Sequence, residues 1–321
     1  MSSKNLDFGT FAQDVMIGLS SNPKTLPSKY FYDTKGDKLF QKIMELPDYY
    51  LTRKEFEIFE KQFEDILQPI LNLSQSFNLV ELGAGDGLKT KILLSHLINK
   101  KADFEYFPID FSGSVLDELK DSISSVFPEL KVTCIEDTYR GSLLRRSWDN
   151  GKPCLILFLG SNLGNFSLEE ALDILDHLKI GASHGDFVLL GIDLKKNPQT
   201  ILNAYNDPKG ITRNFNLNLL ERINRELNGD FDLDTFMHWP SYDPLSGECR
   251  SHLISMKEQT VNLKVLDQSF HFEAFEPIFT EISKKYSLSE IEQLAQKGGF
   301  KTIENFTDDA NYFADVLWRR I

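Results

Sequence analysis

The sequence predicts an α/β protein built on a mixed, mostly parallel sheet, and two patterns in its 321 residues indicate this class. From about Asn78, short apolar runs alternate with segments of helical periodicity, which is typical of a parallel sheet wound by helices. The run at 154–159 is apolar throughout, as expected for a strand buried on both faces. The composition, 41% hydrophobic and 26% charged, is that of a globular protein with a large core.

The alternation places strands and helices in a definite order. We expect strands at 77–83, 104–112, 130–139, 153–161 and 185–194. The first intervening helix, at 88–98, has an apolar face formed by Leu88, Ile92, Leu93 and Leu97. Ser112 or Ser114 can cap the next helix, and Ser167 with Glu170 has the spacing of a capping box.

The segments outside this alternation predict a second domain. Residues 1–59 are helical and rich in aromatic side chains, whereas residues 196–283 combine a long helix with antiparallel strand patterns, one of them at 251–261. The chain then returns to the main sheet. We therefore expect a cofactor-binding domain at 60–195 and 284–321, and an α+β substrate-binding domain built from the N-terminal segment and the insertion.

Charge and cysteine content exclude several classes of protein. The formal net charge of −13 gives no basic excess for binding nucleic acid or an anionic membrane. Cys134, Cys154 and Cys249 are too few and too scattered for a disulfide framework or a zinc cluster. No histidine has a metal-ligand spacing, and neither a signal peptide nor a membrane span is predicted. We expect a cytoplasmic monomer that acts on a small molecule without a metal.

A glycine-rich turn follows the first predicted strand. Gly83, Gly85 and Gly87 have the spacing G-x-G-x-G, which differs from the G-x-G-x-x-G of dinucleotide-binding turns. Glycine lets the backbone approach a ligand closely because it has no Cβ. Glu81, inside the end of the strand, is more common before the glycine turn of S-adenosylmethionine (SAM) methyltransferases. The turn therefore favours a SAM site over a dinucleotide site.

Polar side chains follow the next three strands. Asp110 ends the second strand, where a carboxylate can accept hydrogen bonds from ribose hydroxyls, and Asp137 ends the third, where it can accept from an adenine amino group. Asn165, after the fourth strand, would lie beside the reactive end of such a ligand. The alternative is a plain glycine turn, two helix-capping aspartates and a loop-stabilising asparagine. Since parallel strands end at one edge of a sheet, the coincidence favours a cofactor site.

The glycine turn and the strand-end residues, together with several longer stretches of the sequence, resemble the histidine Nα-methyltransferases of ergothioneine biosynthesis. The resemblance runs from about residue 24 to the C-terminus and is most specific in "AYNDPKGITRNFNLNLLERINRELNGDFDLD". Other matching stretches are "FYDTKGDKLFQKIMELPDYYLTR", "VELGAGDGLKT", "PIDFS", "FLGSNLGNF", "KEQTV" and "TEISKKY". The resemblance implies a Rossmann-like class I methyltransferase that moves three methyl groups in succession from SAM to the α-amino nitrogen of L-histidine. The products would be hercynine, the trimethylated betaine, and S-adenosylhomocysteine.

The resemblance also implies roles for individual residues. The expected cofactor contacts are Gly83, Gly85, Lys89, Asp110 and Asp137. Tyr49 and Tyr205 would bind the substrate carboxylate. Asn165 and Tyr32 would be the catalytic pair that orients the amino group, Tyr32 through a water. Glu281 and Ser283 would hydrogen-bond the two imidazole nitrogens.

One departure from the family pattern bears on the substrate. Ser251 stands where a family member carries methionine on the wall beside the substrate ring, and it would enlarge or polarise that pocket. The same Nα-methyl transfer to tryptophan or tyrosine therefore remains an alternative. A nicotinamide-dependent oxidoreductase is disfavoured by the glycine spacing. A non-catalytic cofactor-binding protein is a more remote alternative, because the tyrosines and Asn165 are all retained.

Overall fold

The computed structural model describes residues 9–321. Its helices are α1 (Thr10–Ser20), α2 (Thr34–Met44), α3 (Leu51–Leu73), α4 (Thr90–Asn99), α5 (Gly113–Val126), α6 (Tyr139–Arg145), α7 (Leu168–Gly181), α8 (Pro198–Ala204), α9 (Ile211–Leu227) and α10 (Leu288–Lys297). Its strands are β1 (Lys24–Thr25), β2 (Ser76–Leu82), β3 (Asp103–Asp110), β4 (Ile135–Glu136), β5 (Cys154–Phe158), β6 (Phe187–Asp193), β7 (Phe236–Asp243), β8 (Glu248–Ser255), β9 (Gln259–Leu263), β10 (Gln268–Phe272), β11 (Pro277–Lys284), β12 (Phe300–Thr307) and β13 (Phe313–Arg320).

The chain divides into two compact units. Unit 1 consists of the described residues up to Tyr50 together with Lys196–Ser283, and unit 2 consists of Leu51–Lys195 and Lys284–Ile321. The first division falls before the expected 59/60 boundary because α3 is one continuous helix that begins at Leu51. Residues 1–8 of the expected N-terminal segment lie outside the described residues.

Unit 2 contains a seven-stranded sheet in the order β12-β13-β6-β5-β2-β3-β4. Strands β2 to β6 pair in parallel, whereas β13 runs antiparallel to both β6 and β12. Strands β2, β5 and β6 are buried almost throughout, which agrees with their apolar sequences. The strand order reverses at β2, and ligands of such sheets bind beyond the carboxyl ends of the strands at this point.

Several local predictions for unit 2 are confirmed and two are corrected. The side chain of Ser112 caps α5, and Ser167 with Glu170 forms the capping box of α7. The third strand is much shorter than expected because it lies at the edge of the sheet, where β4 pairs with β3 over only two residues. Leu93 and Leu97 of the expected apolar face are buried in α4, together with Thr90 and Leu94. Leu88 precedes the helix and is exposed, and Ile92 is only partly buried.

Unit 1 contains a four-stranded sheet in the order β1-β11-β8-β7 and a two-stranded sheet of β9 and β10. The expected strand at 251–261 is instead divided between β8 and β9, because the hydroxyl of Ser255 donates to Lys257 O and the chain turns there. Helix α9 packs on this unit through buried residues such as Phe215 and Leu219, which share a core with Leu253 of β8 and Ile278 of β11. None of the helices described is both long enough and apolar enough to cross a membrane.

Candidate active site

The glycine turn follows β2, at the reversal of strand order in unit 2. Gly83, Gly85 and Gly87 all have positive φ, a conformation that glycine adopts readily. A Cβ at position 83 would lie 2.5 Å from Tyr139 Oη, and one at position 87 would lie 2.4 Å from Leu119 Cδ1, so a side chain at either position would displace its neighbour. No described atom lies within 4 Å of the corresponding position at Gly85. Gly85 is therefore the glycine whose side is open to a ligand.

Asp110 lies beside this open position. Its Oδ2 accepts a hydrogen bond from Gly85 N at 3.4 Å, and its Oδ1 accepts one from Ser112 N at 3.1 Å. Burial raises the pKa of Asp110, and these amide hydrogen bonds oppose that shift. Asp137 N donates to Asp110 O at 3.0 Å, so the two acids occupy neighbouring strand ends.

The carboxylate of Asp137 interacts within its own segment. Oδ1 accepts a hydrogen bond from Thr138 N at 2.7 Å, and Oδ2 forms an ion pair with the largely exposed Arg145. The structure thus holds Asp137 at the strand end, while its contact with an adenine amino group stays a prediction.

Tyr139 is a residue of this edge that the sequence analysis does not identify. Its hydroxyl lies against Gly83, and its ring meets that of Phe158 edge-on, with centroids 5.2 Å apart. Burial raises the pKa of Tyr139, and the nearby Asp110 carboxylate acts in the same direction. The tyrosine therefore stays protonated and can donate a hydrogen bond. Its position just after Asp137 is the one signal the sequence offers.

Lys89 immediately precedes α4, and its ammonium lies at the same edge of the sheet. Nζ forms an ion pair with Glu55 of α3 and lies 3.5 Å from the position that a Cβ of Gly160 would occupy. Burial lowers the pKa of Lys89, but the Glu55 carboxylate outweighs burial and the net direction is upward. Lys89 is therefore a cation at the end of β5. Glu55 is a second residue that the sequence analysis misses.

Asn165 lies in the turn after β5. Ser161, earlier in this turn, has a φ of 59°, and its Oγ accepts a hydrogen bond from Asp193 N at 3.1 Å. Gly164 N donates to Ser161 O at 2.9 Å, and a Cβ at position 164 would lie 2.6 Å from Lys284 O. The turn is thus fixed by β6 on one side and by Lys284, the last residue of β11, on the other. Asn165 remains half-buried at its end.

Glu81 is buried beneath the glycine turn. Its Oε1 accepts a hydrogen bond from Thr90 Oγ1 at 2.6 Å, and its Oε2 accepts one from the hydroxyl of Tyr106. Burial raises the pKa of Glu81 to about 7, although both hydrogen bonds oppose the shift. The acid that marks the motif in the sequence therefore links β2 to α4 and β3.

In unit 1, a tyrosine and a serine expected to bind substrate are hydrogen-bonded to each other. The Tyr205 hydroxyl, at the end of α8, donates to Ser283 Oγ of β11 at 2.7 Å, and both residues are buried. Glu281 lies two residues before Ser283 and therefore on the same face of β11. The ring of Tyr49 meets the ring of Tyr205 edge-on, with centroids 6.4 Å apart. These four residues form one cluster.

Tyr32 joins this cluster through a phenylalanine. Phe40 of α2 makes edge-on ring contacts with Tyr32, at 5.6 Å between centroids, and with Tyr49, at 6.2 Å. Phe215 of α9 packs against both Tyr32 and Phe40. Neither phenylalanine is identifiable as a site residue from the sequence, because an aromatic residue on an amphipathic helix is usually part of the core.

Ser251 lies in a different environment. It is buried on β8, on the same side as Leu253 of the core, and its carbonyl oxygen accepts a hydrogen bond from Thr280 Oγ1 at 3.0 Å. Thr280 and Glu281 are consecutive in β11, so their side chains point to opposite faces. Contact of Ser251 with a substrate ring stays a prediction.

The topology of unit 2 and the residues at its strand ends define the class of protein. The sheet is mostly parallel, with an antiparallel β13 next to β6, and an open glycine turn follows the strand at which the order reverses. A buried carboxylate ends the neighbouring strand. This is a Rossmann-like, class I SAM-dependent methyltransferase fold, and the expected fold class is confirmed.

Comparison with known proteins identifies the family. The family described as "Histidine-specific methyltransferase, SAM-dependent" matches residues 11–320. The chain belongs to this family and is a SAM-dependent methyltransferase.

Proteins of three organisms are similar to this chain. Histidine N-alpha-methyltransferase of Mycobacterium tuberculosis is 34% identical over 301 residues, which cover 94% of this chain and 92% of that protein. Ergothioneine biosynthesis protein 1 of Schizosaccharomyces pombe is 29% identical over 305 residues, covering 92% of this chain and 39% of that protein. The 4-dimethylallyltryptophan N-methyltransferase of Claviceps purpurea is 31% identical over 205 residues, covering 60% of this chain and 58% of that protein.

Proposed function

We propose that the enzyme methylates the α-amino nitrogen of L-histidine in three successive steps and releases hercynine and S-adenosylhomocysteine. The observation that carries this proposal is the arrangement of Glu281, Ser283 and Tyr205 on one side of β11. The names of the relatives from Mycobacterium tuberculosis and Schizosaccharomyces pombe support it.

The β11 cluster is complementary to a neutral imidazole, which has one N–H donor and one nitrogen acceptor. The Glu281 carboxylate would accept from the ring N–H. The Ser283 hydroxyl would donate to the second ring nitrogen, and the Tyr205 hydroxyl, which donates to Ser283 Oγ in this structure, would turn to the substrate carboxylate when histidine binds. An indole has a donor but no acceptor, so it would leave one of these groups without a complementary partner, which costs binding free energy.

The residues at the edge of unit 2 fit the cofactor. SAM, when bound, supplies the methyl group from its sulfonium. Gly83 and Gly85 would provide backbone close to it, with Gly85 on the open side. Asp110 would accept hydrogen bonds from the ribose and Asp137 from the adenine amino group. Lys89 would contact an anionic group, and the carboxylate of the methionine portion is the anionic group that SAM offers.

The acceptor amine must be held in line with the reacting carbon, and positioning of this kind can supply much of the rate acceleration. Tyr49 and Tyr205 would bind the substrate carboxylate, while Asn165 and Tyr32 would orient the amino group. Each step releases one proton from the amine, and Tyr32, with a water, would pass it outward. Tyrosine faces also tolerate an ammonium that gains methyl groups, because cation–π attraction needs no N–H donor.

The same chemistry on another amino acid is the second candidate. One observation favours it: the Claviceps purpurea relative is named for a tryptophan derivative. Incubation of the enzyme with SAM and each of histidine, tryptophan and tyrosine, followed by mass analysis of the products, separates the two candidates. We expect mono-, di- and trimethylhistidine. Methylation of tryptophan or tyrosine with none of histidine would overturn the leading proposal.

Replacement of Glu281 tests the assigned recognition of imidazole. We expect Glu281→Ala to weaken histidine binding about 10- to 100-fold, the loss typical of a hydrogen bond to a charged group, and to leave S-adenosylhomocysteine affinity unchanged. Isothermal titration of both ligands measures this. Glu258→Ala, at an exposed position of the same unit, is the matched control. Equal loss of both affinities in Glu281→Ala would refute the role.

We also propose that the enzyme is a cytoplasmic monomer and needs no metal. The net charge of −13 argues against nucleic-acid or anionic-membrane partners. The sequence contains no metal-ligand spacing, and the sulfonium already provides a good leaving group.

A further inference from the structure

A carboxylate of α3 is buried at the cofactor edge of unit 2. The side chain of Glu55 is 1% exposed, and its two oxygens bind groups from two other elements. Oε1 accepts a hydrogen bond from Gly160 N at 2.7 Å, just after β5, and Oε2 forms an ion pair with Lys89, just before α4. Lys89 itself is 22% exposed, so its ammonium lies between the buried carboxylate and solvent.

The sheet is shaped to admit this carboxylate. A Cβ at Gly191, in β6, would collide with Glu55 Oε1 and lie 3.1 Å from Gly160 N. Any larger residue at position 191 would therefore displace the Glu55 carboxylate from the Gly160 amide.

A second buried carboxyl group, that of Asp315, lies near the pair of Glu55 and Lys89. Asp315, opposite Gly191 in β13, is fully buried, and neither carboxyl oxygen has a hydrogen-bond partner among the described residues. Burial raises the pKa of Asp315 well above its usual range, and the Glu55 carboxylate adds to the shift. Among the described residues the Lys89 ammonium pairs with Glu55, and neither oxygen of Asp315 is hydrogen-bonded to it.

Only a carboxylate satisfies both partners of Glu55. Gly160 N–H and the Lys89 ammonium are both donors, so position 55 must present two acceptors. A glutamine amide offers one acceptor and one donor, and in either orientation its NH2 would face another donor. The resulting repulsion would displace the Lys89 ammonium, because the flexible side chain of Lys89 moves more easily than the backbone of Gly160.

We propose that Glu55 is a positioning residue of the cofactor site, which holds the Lys89 ammonium over Gly160 so that Lys89 can bind the carboxylate of the cofactor's methionine portion. This inference rests on the proposed function in that it takes Lys89 as a cofactor contact. Glu55 acts through Lys89 and the Gly160 amide and does not touch the reacting atoms.

The test begins with Glu55→Gln, which keeps the size of the side chain and removes one acceptor. We expect SAM and S-adenosylhomocysteine to bind about tenfold more weakly, since a charge-assisted contact loses its geometry. The affinity for L-histidine, measured without cofactor, should be unchanged. Glu60→Gln, at an exposed position one turn further along α3, is the matched control.

A double-mutant cycle then separates positioning from a direct role. Lys89→Met should also weaken cofactor binding, and Glu55→Gln in that background should add no further loss. The double variant should be more stable to denaturant than Lys89→Met alone, because Lys89→Met leaves the buried Glu55 carboxylate without its counter-ion. This stability comparison tests the ion pair, and the cofactor affinities of the four proteins test the positioning role.

The results that would overturn the positioning role of Glu55 differ from those that would overturn the proposed function. Cofactor affinity of Glu55→Gln equal to that of wild type, or losses that add in the double variant, would overturn the positioning role. Failure of the wild-type enzyme to methylate histidine would overturn the proposed substrate and would leave these cofactor affinities measurable.

Discussion

Glu81 is a buried acid whose protonation changes near neutral pH. Its carboxyl has an ordinary pKa of 4.5, and burial raises this to about 7 in the folded protein. Between these values the folded state binds more protons than the unfolded state. The free energy of unfolding therefore falls as the pH rises through this window, by on the order of 3 kcal/mol for a shift of this size.

Replacement of Glu81 tests this linkage. Glu81→Gln cannot titrate, and its amide resembles the protonated carboxyl in having one donor and one acceptor. We expect the free energy of unfolding of this variant to change less between about pH 5 and about pH 8 than that of wild type. Denaturant titrations at several pH values measure the difference. Glu118→Gln, exposed on α5, should follow the wild-type curve, and an identical pH dependence of all three proteins would contradict the assignment.

At the scale of the element, the N-terminal cap of α7 fixes the end of the turn that contains Asn165. Ser167 and Glu170 form a reciprocal capping box, and Asn165 lies two residues before the cap. The side chain of Ser167 satisfies an amide of the first turn, and the Glu170 side chain satisfies the amide of Ser167. The end of the Asn165 turn is thus fixed by the helix that follows it.

Loss of this cap has a measurable cost. We expect Ser167→Ala to lower the free energy of unfolding by about 1 kcal/mol, the usual value for removing an N-cap side chain. Ser124→Ala, at an exposed position inside α5, should change it much less, because alanine is the better helix former there. Chemical denaturation compares the two variants. A loss in Ser124→Ala as large as that in Ser167→Ala would show that the cap is not the cause.

The elements that the sequence predicts well are those whose signal is local. Strands β2, β5 and β6 have long apolar runs, and the capping box has a fixed spacing, so each could be identified without tertiary information. The short β4 could not, because its length depends on pairing at the edge of the sheet. The fragment at 251–261 has a strand pattern throughout, yet a hydrogen bond at Ser255 divides it.

The candidate site was predictable to a similar degree. Glycine and acid at consecutive strand ends indicated where unit 2 would bind a ligand, and the structure places Gly85 and Asp110 together there. The partner of Lys89 was not predictable, because Glu55 lies on a helix 34 residues away in the chain and looks like one more charge on an amphipathic surface. Contacts of this range depend on packing of α3 that no local pattern encodes.

At the scale of the whole molecule, composition leads to a prediction about assembly. The chain of 36.8 kDa has a net charge of −13, and self-repulsion of this size opposes non-specific association. We expect light scattering to give the mass of a single chain, and methyl transfer to be unchanged after dialysis against a chelator. A dimer mass, or activity restored only by added metal, would contradict these two parts of the proposal.

The chain leaves unit 2 after Lys195 and re-enters it at Lys284. The residues next to these two points are bonded to each other within unit 2. Leu194 and Tyr286 form a parallel bridge, Tyr286 N donates to Asp193 O at 3.0 Å, and the Lys285 ammonium lies 2.7 Å from the Asp193 carboxylate with both side chains fully buried. The chain therefore leaves and re-enters this unit at adjacent points. Since loop closure depends only weakly on loop length, the sheet that binds the methyl donor can accept an insert of another length or sequence. Residues 196–283 can thus change in evolution without rearrangement of the strands of unit 2, but the N-terminal segment must change with them because β1 pairs with β11.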